Sequence, residues 1–247
     1  MSPEGGRVVI VTGGSSGIGE GVARAFAADG SRVVINSARS VEAGRALAAE
    51  LPDALYFQAD VSDESQARAL VAATLEHFGR IDVLVNNAGT TQVIPHGDLD
   101  AATDEVWDRI LRVNLMGTWY MTRAALEGLR RSAAGCVINM TSVAGVAPVG
   151  SSIPYAVSKA ALNHLTRLLA NTLGPEVRVN AVAPGLIDTP WTEDWVGPRE
   201  HWRATVPLGR SGTPEDIAGA CLYLADATFV TGQVIVADAG MTLRVGG

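Results

Sequence analysis

The chain alternates short apolar runs rich in β-branched residues with longer amphipathic stretches, and this alternation limits the folds open to it. The apolar runs predict buried strands at 7–12, 31–36, 54–59, 81–85, 135–141, 178–183 and 233–237. Helical patterns lie between them, at 19–30, 41–51, about 63–78, 103–131, about 155–173 and 214–227, with Ser62 expected as the N-cap of the third. The pattern predicts an α/β fold with one doubly wound parallel sheet and helices on both faces.

A glycine-rich turn follows the first predicted strand and opens the first predicted helix, with glycines at positions 13, 17 and 19. A helix N-terminus offers free N–H groups and a positive dipole end to a pyrophosphate, and glycine lets the backbone approach closely. The spacing differs from the common G-x-G-x-x-G. The turn therefore predicts a dinucleotide site, although an ordinary tight strand–helix turn explains the same glycines.

The second predicted strand is followed by Asn36, Ser37, Ala38 and Arg39. NAD sites usually place an acidic residue here, on the ribose 2′-hydroxyl. This chain has no carboxylate there to repel a 2′-phosphate, and Arg39 could pair with one. The sequence thus favours NADP(H) over NAD(H). The alternative is that Arg39 is a solvated residue before the next helix.

Tyr155 and Lys159 are four residues apart in a predicted helix, and Ser142 follows the fifth predicted strand. On a helix, such positions share a face with Cβ atoms about 5–6 Å apart. Two unit charges ~4 Å apart at an effective dielectric of ~20 interact by roughly 4 kcal/mol, enough to lower a phenol pKa of ~10 by about three. We therefore expect a working acid or base at Tyr155. Tyr–Lys pairs also occur by chance, so this hypothesis depends on its surroundings.

Polar and aromatic residues collect where the predicted strands end. Asn86-Asn87-Ala88-Gly89 follows the fourth strand, and Asn114 interrupts an apolar helix, where a buried amide needs hydrogen-bond partners. A segment at about 186–209 follows Pro184-Gly185. It contains Trp191, Trp195 and Trp202, and is read as a loop that covers an apolar substrate. Packing in the core or between subunits explains these tryptophans equally well.

Composition excludes several classes of protein. The net charge of −7 and a pI near 5.1 argue against nucleic acid or an anionic membrane as partner. No signal peptide and no apolar run long enough for a transmembrane helix is recognised, so the cytoplasm is the expected compartment. Cys136 and Cys221 are read as inert core thiols, and the four histidines show no ligand spacing, so no metal site is expected.

An ordered set of motifs resembles the classical short-chain dehydrogenases/reductases over about residues 7–240. The set is Thr12-Gly13-x-x-x-Gly17-Ile18-Gly19, Asp60-Val61, Asn86-Asn87-Ala88-Gly89, Asn114, Ser142, Tyr155-x-x-x-Lys159 and Pro184-Gly185-x-x-x-Thr189. The resemblance implies a Rossmann fold with strand order 3-2-1-4-5-6-7 and a nicotinamide cofactor. It also implies one NAD(P)-binding domain over residues 1–247, with the substrate loop at about 186–209, and a homotetramer in which the helices of Asn114 and Tyr155 pack between subunits.

The resemblance also implies roles for individual residues. Tyr155 would be the general acid in reduction and the base in oxidation, and Lys159 would lower its pKa and hold the nicotinamide ribose. Ser142 would orient the substrate carbonyl, and Asn114 would hold a water that relays protons to Lys159. The implied cofactor contacts are Gly13, Ser15, Ser16, Gly17, Ile18, Gly19, Ser37, Arg39, Asp60, Val61, Asn87, Ala88, Gly89, Tyr155, Lys159, Pro184, Gly185, Ile187 and Thr189. Apart from the resemblance, Thr91, Trp191 and Trp195 are expected as substrate contacts.

Two departures from the family pattern bear on these expectations. Members that prefer NADP(H) often carry a basic residue where this chain has Ser16, which weakens the preference inferred from Arg39. Near the end of the chain, Asp238-Ala239-Gly240 replaces the more usual Asp-Gly-Gly, which we expect to be a minor packing change.

The sequence therefore predicts an NAD(P)(H)-dependent oxidoreductase, with NADP(H) favoured, that moves a hydride between nicotinamide and a small-molecule carbonyl or secondary alcohol. A 3-oxoacyl thioester competes with sugars, polyols and steroids as substrate. The alternatives are a non-catalytic dinucleotide-binding sensor or scaffold on the same fold, and a dehydratase or isomerase using the same tyrosine.

Overall fold

The computed structural model describes residues 6–243, and a seven-stranded parallel sheet forms its centre. The spatial order is β3-β2-β1-β4-β5-β6-β7, as the family resemblance implied. Val9 of the central strand pairs with Val33 on one side and Val83 on the other. The strands are β1 Val8–Val11, β2 Arg32–Ser37, β3 Ala54–Gln58, β4 Val83–Asn86, β5 Gly135–Met140, β6 Val177–Pro184 and β7 Val234–Ala237.

Helices cover both faces of this sheet, because successive strand residues point to opposite sides. On one face Val9 and Val11 pack among residues of α1, α2 and α8, including Phe26 and Ile217. On the other, Ile10 packs among residues of α3, α5 and α6. The helices are α1 Gly17–Ala28, α2 Val41–Glu50, α3 Glu64–Phe78, α4 Asp104–Leu111, α5 Gly117–Arg131, α6 Ile153–Leu173, α7 Val196–Thr205 and α8 Pro214–Asp226, with 3₁₀ turns at Val143–Gly145, Pro190–Thr192 and Met241–Leu243.

The strand order places a crevice above the middle of the sheet. Starting from the middle of the sheet, β1, β2 and β3 follow one another toward one edge, and β4, β5, β6 and β7 follow one another toward the other edge. The direction in which successive strands are added therefore reverses between β1 and β4. In open α/β sheets, ligands bind beyond the carboxyl ends of the strands at such a reversal. The glycine turn after β1 and the segments after β4, β5 and β6 meet at this edge.

Arg178 on β6 fixes the end of α8. Its Nη1 donates to the carbonyls of Leu224 at 2.7 Å and Ala227 at 3.0 Å, and its Nη2 donates to that of Ala225 at 2.7 Å. The last carbonyls of a helix lack partners within the helix. One guanidinium therefore caps α8 and ties it to the sheet.

Three local predictions need correction. The N-cap of α3 is Asp63 and not Ser62, because the Asp63 carboxylate accepts hydrogen bonds from the backbone of Ser65 and Gln66. The segment 186–209 is not an irregular loop, since it contains α7 and the 3₁₀ turn Pro190–Thr192. The predicted helix at 103–131 begins at Asp104 and contains a π-helical turn, Arg112–Met116, between α4 and α5.

Candidate active site

A cleft of about 1090 Å³ opens at the carboxyl edge of the sheet. It brings together every site residue expected from the sequence except Asn114, which is fully buried behind its wall. The lining residues among them are Gly13, Ser15, Ser16, Gly17, Ile18, Gly19, Ser37, Arg39, Asp60, Val61, Asn87, Ala88, Gly89, Thr91, Ser142, Tyr155, Lys159, Pro184, Gly185, Ile187, Thr189, Trp191 and Trp195.

The turn between β1 and α1 has a shape that requires glycine. Gly13 and Gly17 have φ of +60° and +55°, a region that L side chains rarely adopt. A Cβ on Gly19 would lie 2.2 Å from the Gly13 carbonyl oxygen, so the first turn of α1 packs directly on the backbone before it. These contacts hold the glycine turn close against the first turn of α1 and leave the backbone of that first turn facing the cleft.

The start of α1 fits the pyrophosphate of a dinucleotide. The N-cap residue Ser16 makes no side-chain capping bond, and Gly17, Ile18 and Gly19 of the first turn line the cleft. First-turn N–H groups have no partner within a helix and carry the positive end of its dipole. An anion placed here would receive those N–H groups, as phosphates do at the same position in dinucleotide-binding folds.

Asn87, after β4, ties the glycine turn to the centre of the sheet. Its Nδ2 donates to the carbonyls of Thr12 and Gly13, both at 3.0 Å. In return, the Thr12 hydroxyl accepts from the backbone N–H groups of Asn87 and Ala88, again at 3.0 Å. The Asn87 side chain therefore fixes the neighbouring glycine turn.

Tyr155 and Lys159 lie on one face of α6, as their spacing predicts. The Lys159 Nζ is 5.6 Å from the centre of the Tyr155 ring and donates to the Met140 carbonyl at 2.8 Å. Lys159 is only 4% exposed, and it is the one lysine in a chain that otherwise uses arginine for its basic residues. The ammonium therefore sits beneath the phenol, held by the last carbonyl of β5.

Burial controls the ionisation of this pair. It raises the pKa of Tyr155, an effect that the nearby Ser142 hydroxyl opposes to a smaller extent, and it lowers the pKa of Lys159 to about 8. The lowering of the Tyr155 pKa expected from the sequence is therefore wrong in direction for the protein alone, because desolvation of the buried phenol is the largest effect on it. At neutral pH the phenol keeps its proton and most Lys159 side chains are charged.

Ser142 lies two residues beyond β5, beside Tyr155. Its Oγ accepts a hydrogen bond from the Ala144 N–H at 3.1 Å, as the N-cap of a 3₁₀ turn. That turn packs closely on α6, since a Cβ on Gly145 would lie 2.6 Å from the Lys159 carbonyl carbon. The hydroxyl therefore has a fixed position and still has its own proton to donate into the cleft.

Asn114 occupies the π-helical turn between α4 and α5. Its Oδ1 accepts from the Thr90 N–H at 2.7 Å, and its Nδ2 donates to the Thr90 carbonyl and the Ser158 hydroxyl, both at 3.0 Å. Ser158 then donates to the Tyr155 carbonyl at 2.7 Å. The partners expected of a buried amide are present, and they connect the loop after β4 to the helix of Tyr155. π-helical turns often occur at functional sites.

The end of the cleft near β2 has an exposed cation and no carboxylate after the strand. The Ser37 Oγ donates to the Ser40 carbonyl at 3.1 Å and pairs with the Tyr56 hydroxyl at 2.9 Å. Arg39 is exposed at the rim, and within residues 6–243 no ion pair involves it. Asp60 uses its Oδ1 to accept from the Ser62 N–H and hydroxyl, and so shapes the turn after β3.

Several residues at the substrate end were not found from the sequence. The Ser151 hydroxyl lies 2.6 Å from the Thr91 hydroxyl, and Arg109 of α4 donates to the Gln92 side chain at 2.6 Å. Trp202, which the sequence placed in the segment expected to cover the substrate, lines the cleft. His96, Arg109, Ser151 and His201 line it as well. No motif marks them, because they reach the cleft from separate loops and helices. Among residues 6–243 no group of three or more His, Cys, Asp and Glu could hold a metal ion, and no helix there could cross a membrane.

Comparison with known proteins shows the family. A family model described as enoyl-(acyl carrier protein) reductase matches residues 13–242. The chain is 60% identical over 239 residues to a protein named as ketoacyl reductase 2 of the granaticin polyketide synthase from Streptomyces violaceoruber, covering 96% of each chain.

Two solved structures each match 96% of this chain and 98% of their own length. One is a short-chain dehydrogenase/reductase from Burkholderia xenovorans, with TM-score 0.91 and 39% identity. The other is a 3-ketoacyl-(acyl-carrier-protein) reductase from Brucella melitensis complexed with NADH, with TM-score 0.90 and 33% identity. The chain therefore belongs to the short-chain dehydrogenase/reductase family and is an NAD(P)-dependent oxidoreductase acting on carbonyl and alcohol groups.

Proposed function

We propose that this protein reduces the 3-oxo group of an acyl or polyketide thioester, with NADPH as reductant. The observation that carries the proposal is the arrangement of Ser142 and Tyr155, two hydroxyl donors side by side on a large open cleft, with the Lys159 ammonium directly behind. The 60% identity to a protein named as a polyketide ketoacyl reductase supports this substrate class over sugars, polyols and steroids.

In the proposed reaction the nicotinamide supplies the hydride, and the protein supplies position and a proton. Ser142 and Tyr155 both donate hydrogen bonds to the 3-oxo oxygen, which turns the carbonyl carbon toward the nicotinamide. As negative charge develops on that oxygen, the Tyr155 phenol transfers its proton to it. The raised pKa of Tyr155 keeps the phenol protonated before the reaction, and the nearby Lys159 ammonium stabilises the phenolate afterwards.

The residues present fit a dinucleotide along the whole cleft. The first turn of α1 would hold the pyrophosphate, and Asp60 and Val61 would lie beside the adenine. Lys159 would hold the nicotinamide ribose, and Ile187 and Thr189 would contact the carboxamide side. We propose Arg39 as the partner of a 2′-phosphate, since it is exposed at the cleft rim and the residues after β2 include no carboxylate.

The family resemblance further supports one dinucleotide-binding domain that assembles as a homotetramer. Val157 and Leu168 on the outer face of α6 are 44% and 53% exposed, which suits a helix that packs against another subunit. Light scattering at several protein concentrations tests this assembly. The cytoplasmic location expected from the sequence stays a prediction.

Replacing Tyr155 with phenylalanine tests the central assignment. Tyr155→Phe should lower kcat/KM for 3-oxobutanoyl-N-acetylcysteamine by at least ~10²-fold, because the proton donor is lost, while the affinity for NADPH is kept. The rate is followed by loss of NADPH absorbance, and cofactor affinity by thermal shift. Tyr223→Phe is the matched control, since Tyr223 is exposed on α8 and should leave the rate unchanged. A Tyr155→Phe variant with the wild-type rate would refute the assignment.

A substrate panel tests the substrate class separately. Wild-type protein should reduce the 3-oxobutanoyl thioester faster than it oxidises a sugar or a 3-hydroxysteroid. It should leave a crotonyl thioester unchanged, since that compound has a C=C bond and no 3-oxo group. Preference for any of the other three compounds would overturn the thioester proposal and leave the family assignment in place.

The cofactor preference has its own test. Arg39→Ala should raise the KM for NADPH about tenfold or more, because it removes a charge-assisted hydrogen bond to phosphate, and should change the KM for NADH little. Arg45→Ala is the control, since Arg45 is an exposed arginine on α2 outside the cleft. An equal effect on both cofactors would show that Arg39 does not bind the 2′-phosphate.

A further inference from the structure

A second cavity of about 330 Å³ lies beside the catalytic cleft, between the segment after β6, the loop before α8 and the end of β7. Three residues line both spaces: Leu186, Ile187 and Trp202. The two spaces are therefore neighbours that share one thin wall.

Two of the three wall residues are fixed by the backbone of the sheet edge. The Leu186 carbonyl accepts from the Gly212 N–H at 2.9 Å, and the Gly212 carbonyl accepts from the Asp188 N–H at 2.9 Å, which holds Ile187 in an isolated parallel bridge. Gly185 before them donates to the Ala237 carbonyl at 2.9 Å. This part of the wall cannot move without breaking the edge of the sheet.

Trp202 is the part of the wall that comes from another element. It lies on α7, and its ring packs on the backbone after β6, since a Cβ on Gly185 would be 2.5 Å from the Trp202 Cζ2. Its indole Nε1 is buried without a hydrogen-bond partner. The side chain is thus held by shape and not by polar bonds, and it closes the gap that the two backbone-fixed residues leave.

The chemistry of the second cavity suits a neutral apolar group. Its walls include Ile217, Leu208 and Val236. The charged groups at its edge already have partners: Arg210 binds Asp216 at 2.6 and 2.8 Å, and the Asp238 carboxylate accepts from the Gly240 and Thr242 N–H groups. An additional charged group entering there would find no free partner among these residues.

We infer that Trp202 is a specificity-determining residue that sets how long an acyl chain the catalytic cleft accepts, by closing it off from this second cavity. The inference rests on the proposed function, because it concerns the thioester's acyl chain. Removing the indole would join the two spaces, and the distal apolar part of a long chain would then enter the second cavity.

The test compares short and long substrates. The kcat/KM of wild-type protein and of Trp202→Ala is measured with 3-oxobutanoyl- and 3-oxododecanoyl-N-acetylcysteamine. Trp202→Ala should raise the long-to-short ratio of kcat/KM about tenfold, the discrimination that a few methylene groups give in an apolar pocket. Trp202→Phe, which keeps an aromatic ring in the wall, should leave the ratio close to that of wild type.

A second substitution shows where the longer chain goes. Val236 lines only the smaller cavity. Adding Val236→Phe to Trp202→Ala should therefore fill that cavity and remove the gain for the long substrate. If Trp202→Ala unfolds, Trp202→Leu provides the same comparison with a smaller loss of volume. An unchanged ratio, or a gain that persists in the double variant, would overturn the inference. Failure of wild-type protein to reduce either thioester would instead count against the proposed function.

Discussion

Replacing Lys159 with methionine should make the ligand-free protein more stable while ending turnover. Lys159 is 4% exposed, and burial lowers its pKa from 10.5 to about 8. This difference means that burial disfavours the ammonium by about 3 kcal/mol. Methionine fills similar space but loses the hydrogen bond to the Met140 carbonyl, which contributes about 1 kcal/mol. We therefore expect the free energy of unfolding to rise by about 2 kcal/mol at pH 7.

The effect should depend on pH in a defined direction. Between about pH 8 and 10.5 the unfolded chain keeps the Lys159 proton and the folded protein releases it. Stability rises with pH wherever the unfolded state binds more protons, so the wild-type protein gains stability across this range. The advantage of Lys159→Met should accordingly shrink by about 2 kcal/mol between pH 7 and pH 9.5.

Urea denaturation followed by circular dichroism measures both effects, at one fixed protein concentration so that the comparison is made under the same conditions. Lys159→Arg is the control: its cation cannot lose its proton, so it should lack the rise in stability above pH 8. Because Lys159 is the only lysine in the chain, lysine-selective isotope labelling gives one side-chain NMR signal, and its titration reports the pKa directly. A Lys159→Met variant less stable than wild type at pH 7, or a measured pKa near 10.5, would refute the reasoning.

Four further substitutions test the framework around the site. Gly19→Ala should weaken cofactor binding in thermal-shift titrations, because the new Cβ would lie 2.2 Å from the Gly13 carbonyl oxygen and displace the turn. Arg178→Met should destabilise the protein by about 3 kcal/mol in urea denaturation, since several carbonyls at the end of α8 lose a charged donor; a change below ~1 kcal/mol would contradict this role. Asp63→Ala should lower the urea midpoint through loss of an N-cap, and Ser62→Ala clearly less; the reverse order would restore Ser62 as the cap.

The sheet could be predicted closely because each strand is a short apolar run between polar or glycine-rich turns. β1 and β5 pack against helices on both faces, which requires nearly continuous apolar sequence. The position of the cleft followed from the strand order, since the motifs after β1, β4, β5 and β6 meet at one edge of the sheet. Spacing alone placed Tyr155 and Lys159 together, because helical periodicity fixes which side chains are neighbours.

What sequence reasoning missed depends on contacts between distant segments. The direction of the Tyr155 pKa follows from how much protein covers the phenol, which a pattern of four residues does not contain. The segment 186–209 contains three tryptophans and three prolines, and this composition hid the helix at 196–205. Residues of the substrate end that no motif marks, such as Arg109 and His201, come from helices whose orientation toward the cleft depends on tertiary packing.

The π-helical turn at Arg112–Met116 has a consequence for insertions and deletions. A π turn accommodates one more residue than the α-helical turn it replaces, and each residue rotates the helix face by about 100°. Deleting Val113 would allow an unbroken α-helix from α4 to α5, with better backbone hydrogen bonds. It would also turn the Asn114 amide away from Thr90 and Ser158, which it now joins. The need to keep the Asn114 amide in its present orientation thus limits insertions and deletions in this helix, including a deletion that would improve its backbone hydrogen bonds.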